Sequence, residues 1–132
     1  MKKIIFILSI LLMTLSCSTP NKLPSQDKDN VIQAQKNEDG EYDLEVLDGQ
    51  FSYFINAVAK PASMYSEGYL KSRNQFLVSQ WNSYYFSGRY KNIIESSIDY
   101  DPNINYGLKF EYKLYQVFEF VKWKYGLNMT GL

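Results

Sequence analysis

The sequence predicts a small, helix-dominated α+β domain with two short strands and three helices, of which the last two are the longest. Apolar residues recur at helical spacing in three segments and alternate with polar residues in one short segment. Glycine or proline residues separate these segments. All 12 tyrosines lie at or beyond Tyr42, so we place the single globular domain at residues 41–132.

The first predicted strand covers residues 42–48, in which apolar and polar side chains alternate imperfectly. Asp48 at its end is the expected N-cap of a helix, because its carboxylate can accept hydrogen bonds from the first free N–H groups. The spacing of apolar residues predicts this helix over residues 51–60, and Pro61 ends it.

The second predicted helix covers residues 67–85, with Ser66 as its N-cap. Its apolar stripe includes Asn74, which needs a hydrogen-bond partner if it is buried. Ser87-Gly88 breaks the chain after this helix. Residues 93–100 are predicted to be extended, and we expect them to pair with the first strand.

A polar turn at residues 101–103 precedes the last segment, residues 108–125, whose pattern fits two structures. The first half of this segment alternates like a strand, whereas its apolar residues also recur at helical spacing. The segment contains no Gly, Pro, Asn or Asp and is far longer than the usual strand of about 5–6 residues. Its length therefore favours one helix over two strands, and Gly126 is the expected left-handed C-cap.

The N-terminus has the pattern of an export signal. A basic start, Lys2-Lys3, precedes a mostly apolar run at residues 4–15. This run is shorter than the roughly 20 residues that a membrane-spanning helix needs. It ends in Leu15-Ser16-Cys17, which resembles the lipobox of bacterial lipoproteins.

The lipobox resemblance implies that residues 1–16 are a lipoprotein signal peptide and that Cys17 becomes the lipidated mature N-terminus. Thr14 departs from the resemblance, since that family prefers Leu there. Ser18 stands where enteric lipoproteins of the inner membrane tend to carry Asp, so we expect attachment to the outer membrane, with the face left open. The alternative is a secretory signal whose cysteine merely lies nearby.

Residues 17–40 are predicted to be the lipidated N-terminus and a flexible tether. They contain no aromatic residue, and their few apolar residues show no sustained period. Such a segment buries too little apolar surface to offset the entropy of ordering it. A short helix over residues 31–36 is the alternative.

Several short motifs of the domain follow one another in an order that is similar to a known family. They are Asp48-Gly49 followed by Phe51, Lys60-Pro61, Tyr65-Ser66, Trp81-Asn82, Ile98-Asp99-Tyr100-Asp101-Pro102, Asn105-Tyr106-Gly107-Leu108, Tyr112-Lys113-Leu114-Tyr115 and Lys124-Tyr125-Gly126. Over residues 41–126 they resemble small lipoproteins of unknown function that are common in Bacteroidota. The resemblance implies a lipid-anchored envelope location and names no catalytic or binding residue.

The composition excludes several classes of site. With no histidine, the chain cannot form a Ser-His-Asp or Cys-His catalytic site. Its single cysteine cannot form an intramolecular disulfide or a Cys/His zinc site. Basic and acidic residues number 14 each, so no positive charge favours nucleic acid as a partner. We expect no cofactor.

Acidic and amide side chains alternate between Asp99 and Asn105, as in some calcium loops. Neither register supplies the Gly and Glu that an EF-hand loop requires, so we predict no metal site. We predict instead a polar turn whose side chains bind the local backbone and cap the last helix.

Aromatic residues around the end of the second helix form a candidate sugar-stacking face. They are Trp81, Tyr84, Tyr85, Phe86 and Tyr90, beside Arg89. Tyr85, Arg89 and Tyr90 are the surface candidates, whereas Trp81 lies on the apolar stripe and favours a place in the core. The alternative for the whole set is that large amphipathic rings fill a small core.

These observations predict a non-catalytic binding or accessory module of the cell envelope, held at the membrane through Cys17, with an envelope protein as its partner. The alternative is a glycan- or peptidoglycan-binding lipoprotein that uses the aromatic face. A hydrolase would need two carboxylates that converge in a cleft. Asp99 and Asp101 would flank one bond only if the turn bent them together.

Overall fold

A computed structural model describes residues 31–130 and residue 132 of the chain. Its elements are β1 (Val31–Lys36), β2 (Tyr42–Leu44), α1 (Gly49–Ala57), a short 3-10 helix (Ala62–Met64), α2 (Glu67–Phe86), β3 (Ser97–Asp99) and α3 (Leu108–Tyr125). This arrangement confirms a small α+β domain whose last two helices are the longest. The predicted signal peptide and Cys17 lie outside the described residues. None of the helices between residues 31 and 130 is long and apolar enough to span a bilayer.

The strands form one sheet in the order β2-β1-β3. β1 is antiparallel to β2, with Ala34 opposite Leu44, and parallel to β3, with Ile32 opposite Ile98. The expected direct pairing of the two predicted strands is therefore wrong, because β1 lies between them. The predicted tether also extends too far, since its residues 31–36 form the central strand.

β1 was not predicted because its sequence has low hydrophobicity. Ile32 and Ala34 are half-buried against the core, whereas Gln33 and Gln35 are exposed on the other face. A sheet with one face on the core and one in water needs only alternate apolar residues. The stability of β1 comes from its backbone pairing with both neighbours rather than from an apolar run.

The predicted helix caps are present. The Gln50 backbone N–H donates to Asp48 Oδ1 at 2.9 Å, and the Tyr69 N–H donates to Ser66 Oγ at 3.2 Å. Gly126 adopts a φ of 68° at the end of α3, as expected of a left-handed C-cap. Helix α1 ends three residues earlier than predicted.

The last segment is one helix over the predicted residues 108–125, which decides the ambiguity between helix and strand. The predicted cap of this helix by the preceding polar turn is wrong. Gly107, with a φ of 87°, takes the N-cap position and provides no side-chain hydrogen bond. The turn itself is confirmed, because Asp101 Oδ1 accepts from the Asn103 N–H at 2.8 Å.

Helix α3 is the centre of the core. Phe110, Leu114 and Phe118 on α3 are almost completely buried. Leu70 and Leu77 of α2 pack against the same cluster from one side. The large apolar area that α3 removes from water makes it the principal stabilising element.

Helix α2 also closes the outer edge of β3. Asn82 Nδ2 donates to the Ile98 carbonyl and the Ile98 N–H donates to Asn82 Oδ1, both at 2.8 Å. The Trp81 indole N–H donates to the Ser96 carbonyl at 2.7 Å. An open strand edge invites pairing with another chain, so this amide side chain takes the place that a fourth strand would occupy.

A buried polar cluster joins α2 to α3. Asn74 Nδ2 donates to Glu111 Oε2 at 2.7 Å and to the Glu111 carbonyl at 2.8 Å. The Tyr100 hydroxyl donates to the same carboxylate at 3.1 Å. Both Asn74 and Glu111 are 0% exposed. Glu111 meets the predicted need of Asn74 for a partner at Nδ2, whereas Asn74 Oδ1 has no hydrogen-bond partner among the described residues.

Candidate functional site

The aromatic residues that the sequence analysis singled out do not present one flat surface. Trp81 is only 3% exposed, which confirms its predicted place in the core. The rings of Tyr84 and Tyr90 meet at 79°, and the Arg89 guanidinium lies 5.2 Å from the centroid of each. Tyr85 is half-buried, with its ring at 70° to that of Phe86. Arg89 and Tyr90 thus lie together beside Tyr84, whereas Tyr85 packs against Phe86. Neither pair of rings forms a plane on which a sugar could stack.

A second aromatic region, absent from the sequence analysis, forms a groove of about 640 Å³. Helix α3 provides its floor, and α1, the chain after it and the start of α2 provide its walls. Its aromatic lining consists of Phe54, Tyr65, Tyr69, Tyr115 and Trp123. We call it the α3 groove. Its volume falls in the range typical of sites for small ligands.

Tyrosine side chains hold the walls of the α3 groove in place. The Tyr112 hydroxyl donates to the Lys60 carbonyl at 2.9 Å, which ties the chain after α1 to α3. The rings of Tyr65 and Tyr69 stack with 6.1 Å between centroids, and Tyr65 also contacts Tyr115 at 5.5 Å. These contacts fix the rings in position without a ligand.

Trp123 forms one rim of the α3 groove. Its ring packs against Phe54 at 5.5 Å and Phe120 at 5.9 Å between centroids, yet 45% of the residue is exposed. Large exposed aromatic residues have an apolar surface that water solvates poorly, and binding partners often cover it. Trp123 therefore offers a fixed apolar face at the mouth of the groove.

The floor contains a hydrogen-bonded pair of side chains. The Tyr115 hydroxyl donates to Glu119 Oε1 at 3.0 Å. Burial raises the pKa of Tyr115, and the neighbouring Glu119 raises it further, so the hydroxyl keeps its proton and remains a donor. The carboxylate of Glu119 is thereby held in one orientation beside the groove.

Gln116 lies on the same floor and is only 1% exposed. Its Nε2 has no hydrogen-bond partner among the described residues. Burial raises the pKa of Tyr65, and the nearby Gln116 amide lowers it by a smaller amount. The Tyr65 hydroxyl and the Gln116 amide are close, but they do not reach hydrogen-bond geometry. Since an amide nitrogen carries two N–H donors, a single neighbour would not satisfy it.

Charges of both signs line the α3 groove. Lys60 and Lys122 contribute ammonium groups, and Glu119 contributes a carboxylate. Arg73 lies further along α2, and its Nε donates to the Tyr69 hydroxyl at 3.4 Å, which lowers the Tyr69 pKa. The groove is therefore polar and mixed in charge rather than strongly acidic or basic.

Acidic side chains elsewhere in the described part of the chain form no cluster that could hold a metal ion. No group of three or more Asp, Glu, Cys or His side chains that could hold a metal ion occurs there. Glu95, Asp99 and Asp101 are exposed, and Asp101 is engaged by the Asn103 side-chain amide at 2.9 Å. The structure thus offers the α3 groove as the best-formed candidate site.

A cleft beside β1 is smaller, at about 310 Å³. Ile32 and Val46 line it together with Gln33 and Gln35, and no charged groups converge in it except Glu45 at its border.

A model of a family of unknown function, DUF6146, matches residues 5–132 of the chain. The chain belongs to this family. No curated protein and no solved structure matches it. The membership confirms the expected domain of unknown function, whereas the lipoprotein and Bacteroidota character inferred from the motifs stays a prediction.

Sequence patterns gave little indication of the α3 groove. Tyr115, Gln116 and Trp123 belong to a helix whose spacing indicates a core element, and Tyr65 lies in an irregular segment. The conspicuous signal was the density of aromatic residues, 17% of the chain, which shows that aromatic surface exists but not where it gathers.

Proposed function

We propose that this chain is a lipid-anchored, non-catalytic binding protein of the bacterial cell envelope, and that its ligand binds in the α3 groove. The observation that carries the proposal is the buried, unpaired amide of Gln116 on the floor of an aromatic-lined groove. Burying a donor without a partner costs free energy, so this group needs an explanation, and a ligand in the groove would supply one.

Binding is favoured over catalysis by the number of carboxylates. Glu119 is the sole carboxylate side chain among the described residues that line the α3 groove. Hydrolysis of a glycosidic bond needs a second carboxyl group about 5–10 Å away. The other charged side chains that line the groove, Lys60 and Lys122, carry ammonium groups and cannot act as the second carboxyl group.

The shape of the site bears on the partner that the sequence predicted. A protein partner was expected because aromatic residues were thought to form an open face. The α3 groove is concave and carries converging polar groups, which suits a small or extended polar ligand better than a flat protein surface. An envelope protein partner therefore becomes the second candidate.

Anchoring is supported by the sequence alone. Leu15-Ser16-Cys17 follows a short apolar run behind a basic start, as in bacterial lipoproteins. A lipidated Cys17 would hold the groove close to the outer membrane, and residues 18–30 would separate the lipid from β1. The short distance favours ligands that belong to the envelope.

Metabolic labelling with an alkyne palmitate tests the anchor in intact cells. We expect label on the wild-type chain and none on Cys17→Ala, which should also leave the membrane fraction. A crosslinking pull-down from the same cells tests the binding role. We expect the wild-type chain to recover an envelope component, and Trp123→Ala to lose it.

The control for Trp123→Ala is Phe86→Ala, because Phe86 is 76% exposed and lies outside the α3 groove. Equal labelling of wild type and Cys17→Ala would contradict the anchor. Equal recovery by Trp123→Ala and wild type would contradict the assignment of binding to the groove.

A further inference from the structure

We propose that the α3 groove binds an uncharged glycan. One pyranose ring of the glycan packs against Trp123, and other polar groups of the glycan lie between Gln116 and Glu119. This inference rests on the proposed function, since it names the ligand class of the same site. It is argued from three features of the groove: an open donor, an open acceptor and an aromatic face.

The open donor is Gln116 Nε2. The residue is 1% exposed, lines the groove, and leaves Nε2 without a hydrogen-bond partner among the described residues. Nε2 is shielded from water, so an oxygen acceptor brought to it by a ligand would satisfy the donor in surroundings where a hydrogen bond is stronger than in water. Sugar hydroxyl oxygens and the carbonyl of an N-acetyl group are acceptors of this kind.

The open acceptor is Glu119. Its Oε1 accepts from the Tyr115 hydroxyl at 3.0 Å, and the described part of the chain places no donor on Oε2. An ionised carboxylate has further lone pairs available, and hydrogen bonds to it are stronger than bonds between neutral groups. Only one turn of α3 separates Glu119 from Gln116, so one ligand unit can contact both.

The aromatic face is Trp123, with Tyr65 and Tyr69 on the opposite wall. Trp123 is 45% exposed, and the two tyrosine rings lie within 23° of parallel. A pyranose ring has an apolar face of C–H groups surrounded by hydroxyls. Covering the indole with that face would remove apolar surface from water while the hydroxyls remain hydrogen-bonded at the edge.

Two other ligand classes fit less well. Proline-rich segments also bind in aromatic-lined grooves, but proline has no N–H, so such a ligand would leave Glu119 without a donor. An anionic ligand would gain from Lys60 and Lys122 but would meet the carboxylate of Glu119 on the floor. A neutral polyol both donates and accepts, which matches an open donor beside an open acceptor.

Nitrogen-15 NMR of the full chain tests the inference, in micelles of a detergent without a sugar headgroup. The side-chain amide of Gln116 is assigned by its loss in Gln116→Leu. The probes are N,N′,N″-triacetylchitotriose, cellotriose and mannotriose, and the competitors are a proline-rich decapeptide and inorganic phosphate. We expect at least one trisaccharide to shift the Gln116 amide and the Trp123 indole N–H saturably at millimolar concentration, while the competitors leave both unchanged.

Variants give the matched comparison. Trp123→Ala and Gln116→Leu should each weaken trisaccharide binding by at least about tenfold, and Phe86→Ala should leave it unchanged. Should a variant fail to fold, the shift of the wild-type Gln116 amide still decides the question.

Absence of any shift with all three trisaccharides at about 10 mM would overturn the inference, because even weak glycan sites reach millimolar affinity. A shift of the Gln116 amide by the peptide or phosphate alone would also overturn the glycan and would leave the groove as the binding site. If both Trp123→Ala and Gln116→Leu still recovered the envelope component in the pull-down, the proposed function would be rejected.

Discussion

The Tyr115 hydroxyl donates to Glu119 Oε1 at 3.0 Å, so two residues four apart on α3 hold each other in a fixed orientation. This spacing places side chains on the same helix face, one turn apart. The pair needs no other element of the fold, because α3 supplies both groups. The floor of the α3 groove is thus prepared before a ligand arrives, and the ordering cost of binding is correspondingly low.

The unpaired amide of Gln116 makes a prediction about stability. Gln116→Leu keeps nearly the same volume and removes a buried donor that lacks a partner, so we expect the free energy of unfolding to fall by no more than about 1 kcal/mol, or to rise. Leu114→Ala on the same helix is the comparison, because a fully buried leucine should cost about 2–5 kcal/mol. Urea denaturation with unchanged m-values measures both.

A loss of several kcal/mol in Gln116→Leu would mean that the amide is structural, which would remove the main support for the α3 groove as a binding site. If Gln116→Leu binds the ligand more weakly while its free energy of unfolding is unchanged, the amide acts in binding and not in folding.

Glu111 predicts an unusual dependence of stability on pH. Burial raises its pKa, the hydrogen bonds from Asn74 and Tyr100 and the charge of Lys71 oppose this, and Glu67 adds to it. Because the folded-state pKa lies above the unfolded value, the contribution of Glu111 is fully present below the unfolded pKa of about 4.3 and is lost as the pH rises through the folded pKa.

Glu111→Gln removes this titration while leaving an acceptor for Asn74. We therefore expect the free energy of unfolding of wild type, relative to Glu111→Gln, to fall as the pH is raised from about 4 to 7. Glu95→Gln, at an exposed position, controls for the loss of one carboxylate. A relative stability that rises over this range would contradict the raised pKa.

Asp48 joins the start of α1 to the end of α3. It accepts from the Gln50 N–H at 2.9 Å, and Lys124 Nζ donates to its other oxygen at 2.6 Å. The hydrogen bond from Lys124 and then that from Gln50 lower the Asp48 pKa. Its contribution to stability is therefore present above the unfolded pKa and is lost as the pH falls through the lower folded value.

Two substitutions separate the roles of Asp48. Asp48→Asn keeps an N-cap oxygen and removes the ion pair, which should cost at most about 1 kcal/mol. Asp48→Ala also removes the cap and should cost about 1 kcal/mol more. Thermal or urea unfolding at pH 7 measures the two losses, and equal losses would show that the side chain does not cap α1.

Local signals explain why the helices could be predicted. Asp48, Ser66 and Gly126 act on their own helix ends through contacts with residues no more than four positions away, so the sequence contains the whole interaction. The polar cluster was anticipated only in part. The sequence indicated that a buried Asn74 needs a hydrogen-bond partner. It could not identify Glu111, which lies 37 residues away along the chain.

β1 could have been predicted from the turn that follows it. Asp39-Gly40 is a common hairpin turn pair, Gly40 has a φ of 80°, and the Glu41 N–H donates to Asn37 Oδ1 at 2.8 Å. The sequence analysis instead gave weight to the polar composition of the segment. The parallel pairing of β1 with β3 could not be predicted in this way, since it joins residues more than 60 positions apart.

The α3 groove is a product of tertiary packing. Tyr65 and Tyr115 are far apart in the sequence and come into contact through packing, while Tyr112 ties the chain after α1 to α3. Helical spacing identifies Gln116 as a residue on or near the buried face, but it cannot show that the amide faces a groove without a partner. The lack of a hydrogen-bond partner at Gln116 Nε2 can be recognised only from the positions of the side chains.

Site-specific photocrosslinking in intact cells tests most directly whether the α3 groove is the binding site. A benzophenone-bearing amino acid is placed at position 60, an exposed residue that lines the groove, or at position 86, which is exposed outside the groove. We predict an ultraviolet-dependent adduct with an envelope glycan from position 60, none from position 86, and loss of the adduct when Gln116→Leu is added. No adduct from position 60, or the same adduct from both positions, would contradict the account.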